Sequence, residues 1–164
     1  MKLFTDKIPL AMKTTALLRV FGLLKVPMMF YVRPRVVEIN EERLVLTIPL
    51  TRRTKNHLNA MYFGALCIGA EASVALLAVH HMQKQGIRSI NFLFKDMQAN
   101  FLKRAEGNVH FVCESGEQLR ERISEAKKTG ERLNIPISTK AYVPSIDVNN
   151  PVAEFTLTFS MKFK

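Results

Sequence analysis

Between Ala60 and Val79 every position is apolar, aromatic or small except one, and that one is Glu71. A helix that is hydrophobic on all faces is a buried helix, so the run predicts the core helix of a domain, over about residues 60–82. A carboxylate on such a helix must be neutralised, partnered, or set beside a cleft where it does chemistry. Glu71 is therefore the first candidate functional residue. The run is nearly long enough to cross a bilayer, but its Ala and Gly content and its central carboxylate suit a span poorly.

A chain of 164 residues is long enough to bury its own core, so one domain over 1–164 is expected. Cys67 and Cys113 lie far apart in apolar runs, which predicts reduced, buried thiols and a cytoplasmic protein. Lys7, Lys13, Arg19 and Lys25 interrupt the N-terminal apolar runs, so no targeting segment is expected. His, Cys and carboxylate residues do not cluster at ligand spacing, and no metal is expected.

Leu10, Thr14, Leu17, Leu18, Phe21 and Leu24 fall on one helical stripe, with Lys13, Thr15 and Arg19 off it. This predicts an amphipathic helix over 8–25, ended by Pro27, with the stripe packed on the domain; contact with a membrane surface is the alternative. Met28–Glu38 and Arg43–Leu50 read as an antiparallel strand pair. Thr51–Asn59, a basic loop carrying Arg52, Arg53, Lys55 and His57, then leads into the core helix.

Beyond Gly86 the pattern turns to strands. Ser89–Lys103 is long for one strand and is expected to bend or bulge near Asp96. Asn108–Glu114 follows, and Ser115 and Gln118 have the spacing of a capping box for a short helix that Gly130 closes. Leu133–Ala141 and Ala153–Phe163 alternate apolar with polar residues, as half-buried strands do. The expected fold is α+β: a curved antiparallel sheet of six strands wrapped around a long central helix.

Net charge is +10, and eleven basic against four acidic residues through Lys55 place +7 of it in the first third. Such asymmetry fits an anionic partner: nucleic acid, an acidic membrane surface, or a phosphate-bearing small molecule such as a coenzyme A thioester. Nucleic acid is set aside, because the cations are dispersed and no recognition helix or Gly/Arg tract accompanies them.

Two stretches narrow the choice. Asn56-His57-Leu58-Asn59-Ala60-Met61-Tyr62-Phe63-Gly64, followed by Glu71, resembles the N-x-x-G-x-x-H-G-G-x6-[DE] signature of hotdog-fold acyl-CoA thioesterases, especially the phenylacetate-pathway type. Asn100-Phe101-Leu102-Lys103-Arg104-Ala105-Glu106-Gly107 is similar to the N-F-L-R-P-A-x-G strand of the same family. The resemblance implies a hotdog fold, a thioester of coenzyme A or an acyl carrier as substrate, no cofactor, and a homodimer or tetramer whose subunits share each site. Carried over by position, Asn56 matches the asparagine that orients water or substrate, and Asn59 stands where glycine is usual. Tyr62 replaces the histidine, Phe63 the first paired glycine; Gly64 matches the second, and Glu71 the catalytic acid.

The chemistry can also be argued from the residues. The first amides of a helix lack intrahelical partners and carry the positive end of its dipole, so those of Phe63 and Gly64 can polarise a thioester carbonyl. Glu71, on the same helix face, can serve as general base or nucleophile. Met61, Leu66 and Phe92 would line an acyl tunnel, with Tyr62 and Asn59 beside it. Lys103 and Arg104, with Arg52, Arg53 and Lys55, would hold coenzyme A phosphates. The bland counterparts are a Glu71 hydrogen-bonded across a dimer interface, Asn56 and Asn59 shaping the loop, and His80 and His81 complementing the helix dipole. The alternative function is a non-catalytic acyl-CoA or lipid-binding module in which Tyr62 and Phe63 close the carbonyl end.

Overall fold

A computed structural model describes residues 9–87 and 91–162. Residue 8 of the first helix, Ser89 of the long strand and Phe163 of the last one lie outside the described residues. The elements run α1 (Leu10–Lys25), α2 (Pro27–Tyr31), β1 (Arg35–Ile39), β2 (Leu44–Ile48), α3 (Phe63–Lys84), β3 (Phe92–Phe101), β4 (Val109–Cys113), α4 (Gly116–Thr129), β5 (Leu133–Tyr142) and β6 (Ala153–Met161). All strand pairs are antiparallel, in the order β1-β2-β4-β5-β6-β3. The six-stranded sheet with its long central helix is the predicted architecture.

Helix α3 lies on β2, β4 and β5, with α4 at its side. Leu46, Ile48, Leu77, Phe111, Ile137 and Leu157 are fully buried between helix and sheet. The crossing over β4 is close at Gly69: a Cβ there would stand 2.2 Å from two carbons of the Phe111 ring. A buried hydroxyl pair ties the same helix to β5, where Ser73 Oγ lies 3.0 Å from Thr139 Oγ1, and Thr139 in turn donates to the Val112 carbonyl at 3.1 Å.

The bend expected near Asp96 is a bulge. Phe94 pairs with Phe159 and Met97 with Leu157, so Lys95 and Asp96 together face the single residue Thr158, whose hydroxyl donates to Asp96 Oδ1 at 2.8 Å. Around this irregularity Phe92, Phe94, Met97, Ala99 and Phe101 stay on the helix-facing side of the sheet, opposite the apolar positions of β6.

Three local expectations need correction. Met28–Tyr31 is the helical turn α2, not the start of a strand: Pro27 occupies its first turn, where a missing amide proton costs nothing, and β1 begins only at Arg35. Ser115 precedes α4 but forms no capping bond; Gln118 instead donates to the Pro136 carbonyl at 3.3 Å. The stripe of α1 is rotated away from expectation. Leu18 and Gly22 are buried, whereas Leu10, Leu17, Phe21 and Leu24 are exposed. Gly22 sits against the Phe30 backbone, and the polar Thr15 and Arg19 face β1, where the Val36 amide donates to Thr15 Oγ1 at 2.9 Å and Arg19 Nε donates to the Pro34 carbonyl at 3.4 Å. An edge strand offers unpaired backbone groups, and α1 turns its polar residues toward them. One edge of the sheet is thus covered by a helix. The other edge, the side of β3 away from β6, has no partner strand among the described residues.

His81 also differs from expectation. It is buried, its Nε2 lies 3.0 Å from the Glu41 carbonyl, and burial, outweighing that bond, holds its pKa below the usual imidazole value. A neutral ring that pins the β1–β2 turn to α3 does not complement the helix dipole. His80 and His110 are shifted the same way, again chiefly by burial. In the unfolded chain these rings take up protons at about pH 6.5, before the folded ones do. Stability is therefore expected to fall as the pH is lowered from near 6.5 through the folded values, and His81→Gln should flatten that decline in urea melts taken across the range.

Candidate active site

The loop before α3 is built by its own side chains. Asn56 Oδ1 accepts from the amides of Leu58 and Ala60 at 2.9 and 3.2 Å, and the Asn56 amide donates to the Ala60 carbonyl at 2.8 Å. Its side-chain oxygen is committed to the loop. Asn59 has φ +60°, a left-handed conformation that asparagine tolerates and glycine prefers, and its Oδ1 accepts from Lys55 Nζ at 2.8 Å. That accounts for an asparagine at a position where glycine is usual.

Two backbone bonds then fix the start of the helix: the Met61 amide donates to the Ala105 carbonyl and the Tyr62 amide to the Thr54 carbonyl, both at 2.8 Å. The first of these bonds brings together the two stretches singled out in the sequence, 56–64 and 100–107. Met61 itself points into the core, with Leu66. Neither lines an open surface.

At the helix terminus the Ala65 and Leu66 amides donate to the Tyr62 carbonyl, while those of Phe63 and Gly64 have no partner among the described residues. Tyr62 caps without a side-chain bond, and its ring is folded back over Gly64: a Cβ at Gly64 would meet Tyr62 Cε1 at 2.6 Å. Phe63 stacks obliquely on Tyr62 at 4.8 Å between ring centres and meets Phe101 edge-on at 6.3 Å. Tyr62, Phe63 and Phe101 form a half-exposed aromatic rim around the free amides.

Glu71 lies on the same face two turns on. Gly64, Cys67, Ile68, Glu71 and Ala75 are only half-covered, so α3 is not buried all round; it keeps one open stripe with the carboxylate in the middle. No hydrogen bond or ion pair reaches Glu71 from the described residues, and burial pushes its carboxyl above the usual carboxylate range. Seven positions separate it from Gly64, about 10 Å along the axis. That rise is wide for one carbonyl to meet both groups of one chain directly. The open stripe was missed in the sequence, although Gly, Cys, Glu and Ala at three- and four-residue spacing, smaller than the Leu and Val around them, was its available signal.

Of the cations expected at coenzyme A phosphates, Lys103 lies 4.0 Å from Asp147, Arg53 is over the Tyr31 ring at 5.3 Å, and Lys55 is bound to Asn59. Arg52 and Arg104 are exposed and without ion-pair partners among the described residues. Cys113 is buried and protonated, its thiol pushed up to about 11, and Cys67 is a free thiol on the open stripe.

Residues 14–151 match the family model described as "Domain of unknown function (DUF4442)". No curated protein matches the chain in sequence. Solved structures do match. A Chlorobaculum tepidum protein of unknown function aligns at TM-score 0.80 and 15% identity, over 93% of this chain and 96% of its own. A Shewanella oneidensis protein provisionally described as a thioesterase aligns at 0.75 and 10% identity, over 92% and 99%. A Haemophilus influenzae thioesterase aligns at 0.60 and 12% identity, over 87% and 88%. At such identities the shared property is the fold, which is the hotdog fold expected from the two stretches.

Proposed function

We infer a function from one premise: the chain belongs to the DUF4442 family and has the hotdog fold, which several solved thioesterases share. On that premise the protein is a thioester hydrolase, acting on an acyl-CoA or acyl-carrier thioester as a homodimer. The observation that carries this is Glu71, a half-buried carboxylate without a partner among the described residues, on the open helix face that also bears the Phe63 and Gly64 amides, likewise unpartnered there.

The spacing of the two groups calls for a second subunit, so that the amides of one chain and Glu71 of the other converge on one carbonyl. The open β3 edge is where a copy would add, since pairing it there satisfies its backbone and covers Met97 and Phe101, both exposed on the helix side. Glu71, as carboxylate, takes a proton from water as its oxygen attacks the carbonyl; its raised pKa makes it a stronger base near neutrality. The amides hold the tetrahedral oxyanion, a donor of this kind being worth about 3 kcal/mol. Collapse expels the thiolate, Glu71 returns the proton to sulfur, and acid and thiol leave.

One observation favours the second reading, an acyl-CoA-binding module without turnover: the Tyr62 ring lies over Gly64 and narrows access to the amides. Thiol release from short, medium, long and aromatic acyl-CoAs separates the two. Turnover of at least one class, by a species that sediments as a dimer, is the expected result. Binding in the calorimeter with no thiol released across the panel would sink the hydrolase and leave the module.

A further inference from the structure

We propose that the outer face of the α1–α2 helix pair docks on an anionic lipid bilayer, with α1 lying in the plane of the interface. The proposal is independent of the catalytic reading. Helix α1 carries apolar residues all round its circumference, yet it sits at the surface, gripping the protein through Leu18, Gly22, the Thr15 bond to β1 and the Arg19 bond to Pro34. What remains points outward: Leu17 is 67% exposed, Leu24 70% and, on α2, Met28 65%, with Val20, Phe21 and Leu23 between them. A contiguous apolar surface of this kind marks an interaction site. Sixteen residues, about 24 Å of helix, are too few to span a bilayer and enough to lie on one.

Charge selects the occupant. Apart from the inward-facing Arg19, residues 9–37 contain Lys13, Lys25, Arg33 and Arg35 and no acidic residue, and Arg53, stacked on Tyr31, extends the basic border to the loop before α3. Apolar side chains bordered by cations suit a surface with anionic headgroups over a hydrocarbon interior. A second copy of the chain suits this face poorly, because a two-fold contact would set the same cations against one another.

The chain has no tryptophan, so Phe21→Trp supplies a single reporter. With phosphatidylcholine vesicles containing phosphatidylglycerol, the expected result is a blue-shifted emission, quenching by brominated lipid, and co-flotation of the protein. Leu17→Glu with Leu24→Glu should weaken partitioning by about tenfold or more. Lys13→Gln and Lys25→Gln should each weaken it about fivefold at low salt. Circular dichroism checks that each variant is folded. No partitioning to anionic vesicles overturns the proposal, as does partitioning that ignores these substitutions. Self-association without lipid that Leu17→Glu with Leu24→Glu abolishes would assign the face to a second copy, and capture of a protein partner instead of vesicles would reject the bilayer equally.

Discussion

Glu71→Gln is expected to lower thiol release by about 10²–10⁴-fold, while the proposed dimer persists and the melting temperature near neutral pH stays level or rises. Glutamine keeps the size of the side chain and removes only the group that can take a proton. The stability half of the expectation follows from the pKa. Burial holds the Glu71 carboxyl above its ordinary value, so the unfolded chain ionises first as the pH rises. Between the two pKa values the folded protein carries an extra proton, and folding stability declines across that window and stays lowered above it. Glutamine has no such decline. Melts of wild type and variant should therefore converge at acid pH and part above the usual carboxylate range, with the variant at least as stable. If Glu71 were instead an interface residue, the substitution would weaken the dimer along with the activity. Sedimentation of the variant tells these apart.

Gly69→Ala is expected to destabilise the protein by about 1–3 kcal/mol, against the ordinary trend for helices. In an open helix the same change gains about 1 kcal/mol, because alanine loses less backbone entropy than glycine. Here the new methyl would stand 2.2 Å from two atoms of the Phe111 ring and 2.7 Å from a third. Phe111 is fully buried and paired across the sheet with Leu46 and Ala141, so the ring has nowhere to retreat. Overpacking is the larger effect and decides the sign. In a Phe111→Leu background, where the ring is gone, Gly69→Ala should become neutral or stabilising, and this reversal in urea midpoints is the test. A stabilising Gly69→Ala in the wild-type background would mean that helix and sheet are further apart than described.

The sequence made the long elements readable and their environments less so. The central helix, the alternation in β5 and β6, and the break near Asp96 each follow from hydrophobic pattern, which reports burial directly. Helix α1 did not yield its orientation, because apolar residues lie all round it and the face toward the sheet was chosen by Thr15 and Arg19 answering an edge strand that sequence alone does not locate. Met28–Tyr31 looked like a strand because aromatic and aliphatic residues follow one another there, while Pro27 acts as a helix start. His81 is understood only once the β1–β2 turn, forty residues earlier in the chain, is seen against it. At the site, Glu71 and the Phe63 and Gly64 amides were legible as a lone acid on an apolar helix and a helix start. Asn56 shaping its own loop and Tyr62 at the carbonyl end stood only as alternatives, since choosing them depends on side-chain directions that the sequence does not give.

The topology bears on how the chain is made. Among the described residues β3 pairs only with β6, which leaves the ribosome roughly fifty residues later; at about 5–20 residues per second that is an interval of seconds. Through it β3 is a nascent strand with both edges open, and its first three described residues are Phe92, Leu93 and Phe94. Lys95 and Asp96 interrupt that run at the bulge, and charges so placed discourage an exposed apolar strand from pairing with neighbouring chains. The same two residues that kink the finished sheet thus act as gatekeepers during translation, before there is a sheet to kink.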